Sequence, residues 1–204
     1  MSLSRPNTRS IIPTSGPTCK EKTEKGVIAQ LWTIGHSTRN IDILILLLEE
    51  NGIKLLADVR SWPGSKRYPQ FNKEALAESL KEHGIRYEHF RELGGRRKPK
   101  HTSRNIAWRN ASFRGYADYM ETEKFRKGIE HLIDLTSEVG PAAIMCAEAV
   151  WWRCHRALIS DYLKARGIEV IHIVDSNKTK PHPFTSAARM VNGELSYAQS
   201  ESLL

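Results

Sequence analysis

The chain is poor in cysteine and has no long apolar run, and each shortage excludes a class of protein. Its 204 residues include three cysteines, at positions 19, 146 and 154. An odd number at wide spacing is not a disulfide framework, so we expect a reducing compartment, the cytoplasm. The longest apolar run covers residues 43–48, far short of the roughly 20 residues that cross a bilayer. We therefore expect no membrane as a partner.

The two ends of the chain lack the apolar periodicity of helices and strands. Residues 1–26 are rich in Ser, Thr, Pro and Lys and have no signal-peptide apolar block, so we predict a disordered N-terminal tail there. Residues 176–204 turn polar, with Pro181 and Pro183 interrupting regular structure. This pattern predicts a weakly ordered C-terminal extension. Residues 27–175 remain for the folded domain, enough for one hydrophobic core.

Acidic residues are scarce in one segment, and that segment carries most of the formal net charge of +8. Between Arg91 and Arg109, which we call the basic flap, seven basic residues face one acid, Glu92. The seven are Arg91, Arg96, Arg97, Lys98, Lys100, Arg104 and Arg109. Such a segment is either a solvated loop or a surface that faces phosphate groups or nucleic acid.

A repeated dipeptide marks the change from helix to strand. Gly52-Ile53, Gly84-Ile85 and Gly167-Ile168 each follow a helical pattern and precede a short apolar run. Glycine suits the left-handed conformation that ends a helix, and a strand one residue later indicates a short αβ loop. This alternation predicts a single α/β domain. It would be a Rossmann-like, three-layer fold, with a mostly parallel sheet of about five strands flanked by helices.

Glycines and chemically active side chains follow every predicted strand. Parallel strands would bring their carboxyl ends, and therefore these residues, to one edge of the sheet. They are Gly35, His36 and Ser37; Asp58 and Arg60; His89, Glu92, Gly94 and Gly95; Cys146 and Glu148, with Cys154, His155 and Arg156 across the next turn; and Asp175. We therefore predict one site built from these ends.

Within this site the residue types indicate roles. Cys146 is the candidate nucleophile, because a thiol near His and Arg has a lowered pKa. His36 and His155 are candidates for acid/base catalysis, and Asp58 and Glu148 would orient them. The candidate anion-binding residues are Gly35, Ser37, Arg60, Gly94, Gly95, Arg96 and Arg156. The Gly35-His36-Ser37 segment would contribute backbone N–H groups at a helix start.

A soft metal ion is the competing interpretation of the same cluster. Cys146, Cys154, His155 and His36 offer suitable ligands, but seven residues separate the cysteines. That spacing does not match the short intervals of zinc fingers, so no metal is predicted and no cofactor is assigned. Trp151 and Trp152 are either a packing pair or a surface on which a base stacks.

Six ordered motifs resemble one known family, the domain of unknown function 488 family, which consists of small cytosolic prokaryotic proteins. The resemblance covers residues 30–175 and implies an α/β domain whose site is built from these motifs, without implying a reaction. One departure is that members are commonly polar where this chain has Val150, Trp151 and Trp152. The motifs occupy residues 33–37, 58–60, 71–72, 93–96, 146–148 and 154–156.

Together these patterns favour an enzyme acting on a phosphorylated, nucleotide-like or nucleic-acid substrate. A Cys/His-dependent hydrolase or transferase is the class that the residues suggest. The alternatives are a non-catalytic nucleic-acid-binding module that uses the basic flap, and a protein of thiol or metal redox chemistry or sulfur handling. The expected partner is an anionic small molecule or nucleic acid, and the oligomeric state is unassigned.

Overall fold

The computed structural model describes residues 30–199, so the tail predicted over residues 1–26 lies outside the described residues. The strands are β1 (Gln30–Gly35), β2 (Leu55–Asp58), β3 (Arg86–His89), β4 (Ala142–Cys146), β5 (Glu169–Asp175), β6 (Lys178–Pro181), β7 (Arg189–Val191) and β8 (Glu194–Ser196). The helices are α1 (Ile41–Glu50), α2 (Lys73–Glu82), α3 (Ala111–Met120), α4 (Glu123–Val139) and α5 (Arg156–Lys164). Short 3-10 helices cover Pro69–Phe71, Arg91–Leu93 and Trp151–Arg153.

A six-stranded sheet in the order β3-β2-β4-β1-β5-β6 forms the middle layer. The first five strands are parallel, and β6 pairs antiparallel with β5. Alternate side chains of each buried strand enter opposite cores. Leu55 of β2 joins the core beneath α3, α4 and α5, whereas Leu56 joins the core beneath α1 and α2. The predicted single α/β domain with a mostly parallel sheet is confirmed.

The three glycines of the repeated Gly-Ile dipeptide lie at the ends of helices, as predicted. Gly52, Gly84 and Gly167 have φ angles of +65°, +67° and +80°, where a side chain is disfavoured. After each glycine the chain enters the next strand almost at once. These tight returns align the strands in parallel and place their carboxyl ends together.

The C-terminal segment differs from the weakly ordered extension that we expected. Residues 178–181 add β6 to the sheet, and β7 and β8 form a hairpin. Asp161 of α5 anchors this segment, because its carboxylate accepts hydrogen bonds from the hydroxyls of Thr185 (2.6 Å) and Tyr197 (2.9 Å) and lies 3.0 Å from His182 Nε2. Polar side chains of this segment, whose composition suggested poor order, therefore donate hydrogen bonds to a buried carboxylate.

A buried histidine connects this anchor to the centre of the sheet. His172 of β5 lies 2.7 Å from the Thr33 hydroxyl and 2.9 Å from His182 Nδ1. Burial and the neighbouring His182 lower the pKa of His172 to about 2, so the imidazole is neutral. Trp151 stacks on the His172 ring at 4.3 Å between centroids, which fixes the 3-10 helix Trp151–Arg153 against β5. Within residues 30–199 no helix has the length and apolar character needed to cross a membrane.

Candidate functional site

The carboxyl edge of the sheet opens into a groove made of two adjoining cavities, of about 410 and 580 Å³. The smaller cavity reaches Cys146, Cys154 and His155, and the larger one reaches His36 and Ser37. Both are lined by the same six residues where they meet: Arg60, Trp62, Arg96, Ala147, Glu148 and Arg153. Three guanidinium groups against one carboxylate make this junction suited to an anion.

Arg60 is held in place by a buried carboxylate. Asp58, with no exposed surface, accepts hydrogen bonds from Arg60 Nε at 2.9 Å and from Arg60 NH2 at 2.6 Å. The Tyr87 hydroxyl donates to the same carboxylate at 2.7 Å. Burial alone would lower the pKa of Arg60, but the bonds to Asp58 outweigh it and raise the pKa above its usual value. Asp58 thus orients the arginine and does not line either cavity.

His36 also supports Arg60. Its Nδ1 lies 3.0 Å from the Ser37 carbonyl and must donate, so Nε2 carries the lone pair that faces Arg60 NH1 at 3.3 Å. Burial, followed by the charge of Arg60, lowers the pKa of His36 to about 4. The ring is therefore neutral at pH 7 and packs on Phe71 at 4.1 Å. This geometry favours a positioning role over the predicted acid/base role.

The phosphate cradle expected at Gly35-His36-Ser37 does not form. The N–H groups of His36 and Ser37 donate to the carbonyls of Cys146 (3.0 Å) and Ala147 (2.9 Å), which extends the pairing of β1 with β4. Gly35 is needed for another reason, since an added Cβ would lie 1.9 Å from a carbonyl oxygen of the following loop, that of Glu148. The glycine brings the loop after β4 against β1.

Gly94 and Gly95 likewise allow close packing. A Cβ on Gly95 would come within 2.8 Å of His155 Nδ1, and one on Gly94 within 3.0 Å of the Ser61 hydroxyl. Their absent side chains let the start of the basic flap close over His155. Arg96, next along the flap, is exposed and lines both cavities. Of the three predicted flap positions, Arg96 is the one that offers a charged group to a ligand.

A pair of thiols forms the floor of the smaller cavity. Cys146 ends β4, and Cys154 lies between the 3-10 helix Trp151–Arg153 and α5. Arg156 Nε donates a hydrogen bond to the Cys154 sulfur at 3.1 Å, and the Cys146 sulfur lies within 4.8 Å of the Cys154 sulfur. Burial alone would raise the pKa of Cys154, but these two neighbours lower it well below its usual value. The hydrogen bond to Cys154 and burial raise the pKa of Cys146.

These directions favour Cys154 as the thiolate, whereas the sequence predicts Cys146 as the nucleophile. The physical reason is the direction of Arg156, whose guanidinium reaches back to the Cys154 sulfur. A sulfur that accepts a hydrogen bond from a cation holds negative charge better than a sulfur without such a donor.

Arg156 is not the predicted anion clamp. It is 1% exposed, and its NH2 group donates to the backbone carbonyls of Glu148 and Ala149. It therefore fixes the loop after β4 as well as the thiolate. Arg153, which the sequence analysis did not select, lines both cavities in its place. Its position beside the Cys154-His155-Arg156 motif is the signal that could have identified it.

His155 caps the start of α5 and is buried. Its Nε2 lies 3.0 Å from the Val59 carbonyl, which can only accept, so Nε2 carries the proton and Nδ1 the lone pair. Burial lowers the pKa of His155. A neutral imidazole therefore lies beside the two cysteines, with ligand atoms of the three residues within 4.8 Å of one another.

The same three side chains could hold a metal ion. Ligand atoms of Cys146, Cys154 and His155 lie within 4.8 Å of one another. Two sulfurs and an imidazole suit zinc or another soft ion, and the backbone bond from Nε2 is typical of a metal-bound histidine. Arg156, however, already compensates the charge of the Cys154 sulfur at 3.1 Å. The thiolate is therefore stabilised by the protein alone.

Other predicted strand-end residues lie away from the groove. His89 Nε2 bonds the Arg60 carbonyl at 2.8 Å, and the exposed Asp175 caps the turn at Ser176. Neither these two nor Glu92 line the groove. Residues that the sequence analysis missed take their place on the wall, namely Trp62, Ser112, Phe113 and Tyr116. The last three come from α3, whose approach depends on tertiary packing.

The fold and the groove define an α/β protein with a thiol pair and an arginine-lined cavity at the carboxyl edge of its sheet. This chain belongs to the family described as domain of unknown function DUF488, whose model matches residues 40–163. The matched region contains the Asp58, Arg60, Cys146, Cys154 and Arg156 positions. No curated protein and no solved structure matches the chain.

Proposed function

We propose that this protein is a cysteine-dependent hydrolase or transferase that acts on a phosphorylated or nucleotide-like substrate. The observation that carries the proposal is the position of the Cys154 sulfur. Arg156 and Cys146 stabilise it as a thiolate on the floor of a cavity. Arg60 and Arg153 lie at the junction above that floor. A nucleophile and an anion-binding group thus face the same space.

The arginines would bind the substrate's anionic group. Arg60 is fixed by Asp58, Tyr87 and His36, so its orientation costs little when the substrate arrives. Arg96 and Arg153 approach from two different loops. Glu148, on the same junction, disfavours a second anionic group beside it. Reduced thiols also fit the cytoplasm that the cysteine content predicts.

In the first half-reaction the Cys154 sulfur attacks the electrophilic atom of the substrate. A bond from sulfur to that atom forms, and the bond to the leaving group breaks with its electron pair. Cys146 gives its proton to the departing group, and the negative charge moves to Cys146, still close to Arg156. Water or an acceptor hydroxyl then attacks, returns a proton to Cys146 and releases the Cys154 thiolate.

Two alkylating agents of similar size but different charge test this proposal. In a Cys19→Ser background, iodoacetate and iodoacetamide are reacted with the protein, and trypsin releases residues 154–156 for mass analysis. We expect iodoacetate to be preferred on Cys154 relative to free cysteine, with a rate that depends less on pH than that of free cysteine because the pKa of Cys154 is lowered. Arg153→Ala should reduce that preference, which is then measured by fragmentation of residues 128–156 because the change removes the tryptic site after residue 153. Arg189→Ala is the matched control, because Arg189 is exposed on β7, outside the groove.

Substrate chemistry is then tested by protection and turnover. Pyrophosphate or a nucleoside monophosphate should slow Cys154 alkylation, and Cys154→Ser should abolish turnover of any phosphoester that the protein cleaves. Cys146→Ser should slow turnover without abolishing it. Two results together would contradict the proposal. One is that no phosphate compound slows alkylation of Cys154, and the other is that Cys154 prefers iodoacetate no more than free cysteine does.

A nucleic-acid strand is the second candidate ligand, favoured by the exposure of one aromatic side chain. Trp62 is 69% exposed and lines both cavities between Arg60 and Arg96. The basic flap continues from Arg96 with exposed Lys98 and Lys100. An aromatic ring among cations is typical of a surface on which a base stacks. The association constant for a single-stranded oligonucleotide should then decrease as the salt concentration rises. Its logarithm should fall by roughly 0.7 per contacted phosphate for each tenfold increase in salt.

A further inference from the structure

We propose that Cys146 and Cys154 form a reversible disulfide when the protein meets a hydroperoxide, and that this bond inactivates the site. The bond itself follows from the arrangement of the two sulfurs. Its regulatory effect rests on the proposed function, because only there is Cys154 the nucleophile. The chemistry of the pair is therefore open to a test that needs no substrate.

The two sulfurs are close enough to join without rebuilding the fold. Cys146 is fixed at the end of β4, opposite Gly35 of β1. Cys154 follows the loop of residues 147–153 and precedes α5. Their sulfur atoms lie within 4.8 Å of each other. A disulfide is about 2.05 Å long, so closure needs a movement of less than about 3 Å.

The pair is also accessible to a small oxidant. Both cysteines line the cavity of about 410 Å³, whose wall includes the exposed Trp62. Each side chain is largely covered, 7% exposed for Cys146 and 5% for Cys154. This combination admits a hydroperoxide but shields the sulfurs from a second protein molecule. An intramolecular bond is therefore favoured over a bond between two chains.

Oxidation proceeds in two balanced steps. The Cys154 thiolate attacks one oxygen of the hydroperoxide, so an S–O bond forms and the O–O bond breaks. The alkoxide takes up a proton and leaves as an alcohol, or as water when the oxidant is hydrogen peroxide. Cys146 then loses its proton and attacks the Cys154 sulfur, and the hydroxyl of the sulfenic acid leaves as water. One hydroperoxide is reduced and two thiols are oxidised.

The bond changes the groove beyond the loss of the nucleophile. It closes residues 147–153 into a ring, and that loop carries Glu148 and Arg153 on the junction of the two cavities. Arg156 loses the negative partner that its Nε contacts at 3.1 Å. A dithiol such as dithiothreitol reverses the reaction by exchange and restores the thiolate. The oxidised state is therefore inactive and recoverable.

The test uses the full chain with Cys19→Ser, reduced and then treated with one equivalent of hydrogen peroxide. Trypsin cleaves after Arg153, between the two cysteines. A disulfide is therefore seen as residues 128–153 linked to residues 154–156, and dithiothreitol should separate them. Cys146→Ser should instead leave a sulfenic acid on Cys154 that dimedone traps. Cys154→Ser should slow oxidation, since the remaining thiol, Cys146, has a raised pKa and is mostly protonated at pH 7.

Each outcome decides the inference. Linked peptides that dithiothreitol separates support the inference. If they form but no phosphate compound protects Cys154, the disulfide is supported and the proposed function is contradicted. Sulfinic acid on Cys154 without linked peptides would overturn the inference. The inference would also be overturned if the cysteines resist peroxide until a chelator is added and the chelator releases one equivalent of zinc. Circular dichroism of both serine variants shows whether they are folded, and the linked-peptide measurement needs no variant of either cysteine.

Discussion

Replacing Asp58 by asparagine should destabilise the protein strongly, because it leaves the guanidinium of Arg60 buried without its anion. Asp58 has no exposed surface, and Arg60 is 6% exposed. The carboxylate accepts hydrogen bonds from two nitrogen atoms of that guanidinium, at 2.6 to 3.0 Å, and from the Tyr87 hydroxyl at 2.7 Å. Asparagine keeps one acceptor oxygen but presents an NH2 group where the second oxygen lay.

The expected loss follows from the burial of the pair. Removing one partner of a buried ion pair costs about 3–5 kcal/mol, whereas an exposed pair contributes less than about 1 kcal/mol. In a domain of this size 1 kcal/mol corresponds to roughly 2–4 °C in Tm, so Asp58→Asn should lower Tm by about 6–20 °C. Glu138→Gln is the matched control, since Glu138 pairs with Arg86 at 3.2 Å and both are largely exposed.

Urea unfolding of Asp58→Asn, Arg60→Met and the double variant measures the pair directly. The two single changes each leave a buried group unpaired, so the double variant should lose less than their sum by about 1–3 kcal/mol. An Asp58→Asn loss below about 1 kcal/mol, or strictly additive losses, would refute the assignment of Asp58 as the group that holds Arg60.

Three further outcomes follow from other parts of the structure. The folded-state pKa of His172 lies at about 2, below its usual 6.5. Its contribution to stability is therefore complete above pH 6.5 and lost as pH falls, by about 2 kcal/mol at pH 5 in urea titrations. Gly35→Ala should lower the free energy of unfolding by about 1–3 kcal/mol and slow alkylation of the Cys154 thiolate, because the added Cβ would lie 1.9 Å from a carbonyl oxygen. Gly64→Ala is the matched control, since its Cβ would meet no atom closer than 4.0 Å. Trp62→Ala should leave urea stability within about 0.5 kcal/mol but weaken oligonucleotide binding by about 1–3 kcal/mol, and unchanged affinity by fluorescence anisotropy would contradict base stacking.

Local signals in the sequence were sufficient to predict the sheet and the edge where the groove lies. Gly52, Gly84 and Gly167 adopt the left-handed conformation that their position after a helix predicts. Parallel strands then bring Arg60 and Cys146 to one edge by topology alone. These predictions depend on contacts between residues that are near in the chain, or on the direction of whole strands.

The roles of individual side chains at that edge depended on contacts that no local pattern encodes. Whether Cys146 or Cys154 is the thiolate is decided by the direction of Arg156, which is set by packing of α5. The ring of His36 faces Arg60, which follows a different strand, and this contact favours a positioning role over the predicted acid/base role. Polar composition predicts a weakly ordered C-terminal segment, and it does not encode the contact of Thr185 with Asp161, a buried carboxylate in a helix earlier in the chain.

The strand order has a consequence for where this protein can be divided. The region that matches the family, residues 40–163, contains β2, β3 and β4 but not β1, which lies between β4 and β5 in the sheet. A chain cut to that region would expose the long hydrogen-bonding edge of β4, an apolar strand buried along its whole length. Unpaired apolar edges promote aggregation. The smallest piece that folds alone must therefore extend beyond the family match on both sides, to include β1 at one end and β5 at the other.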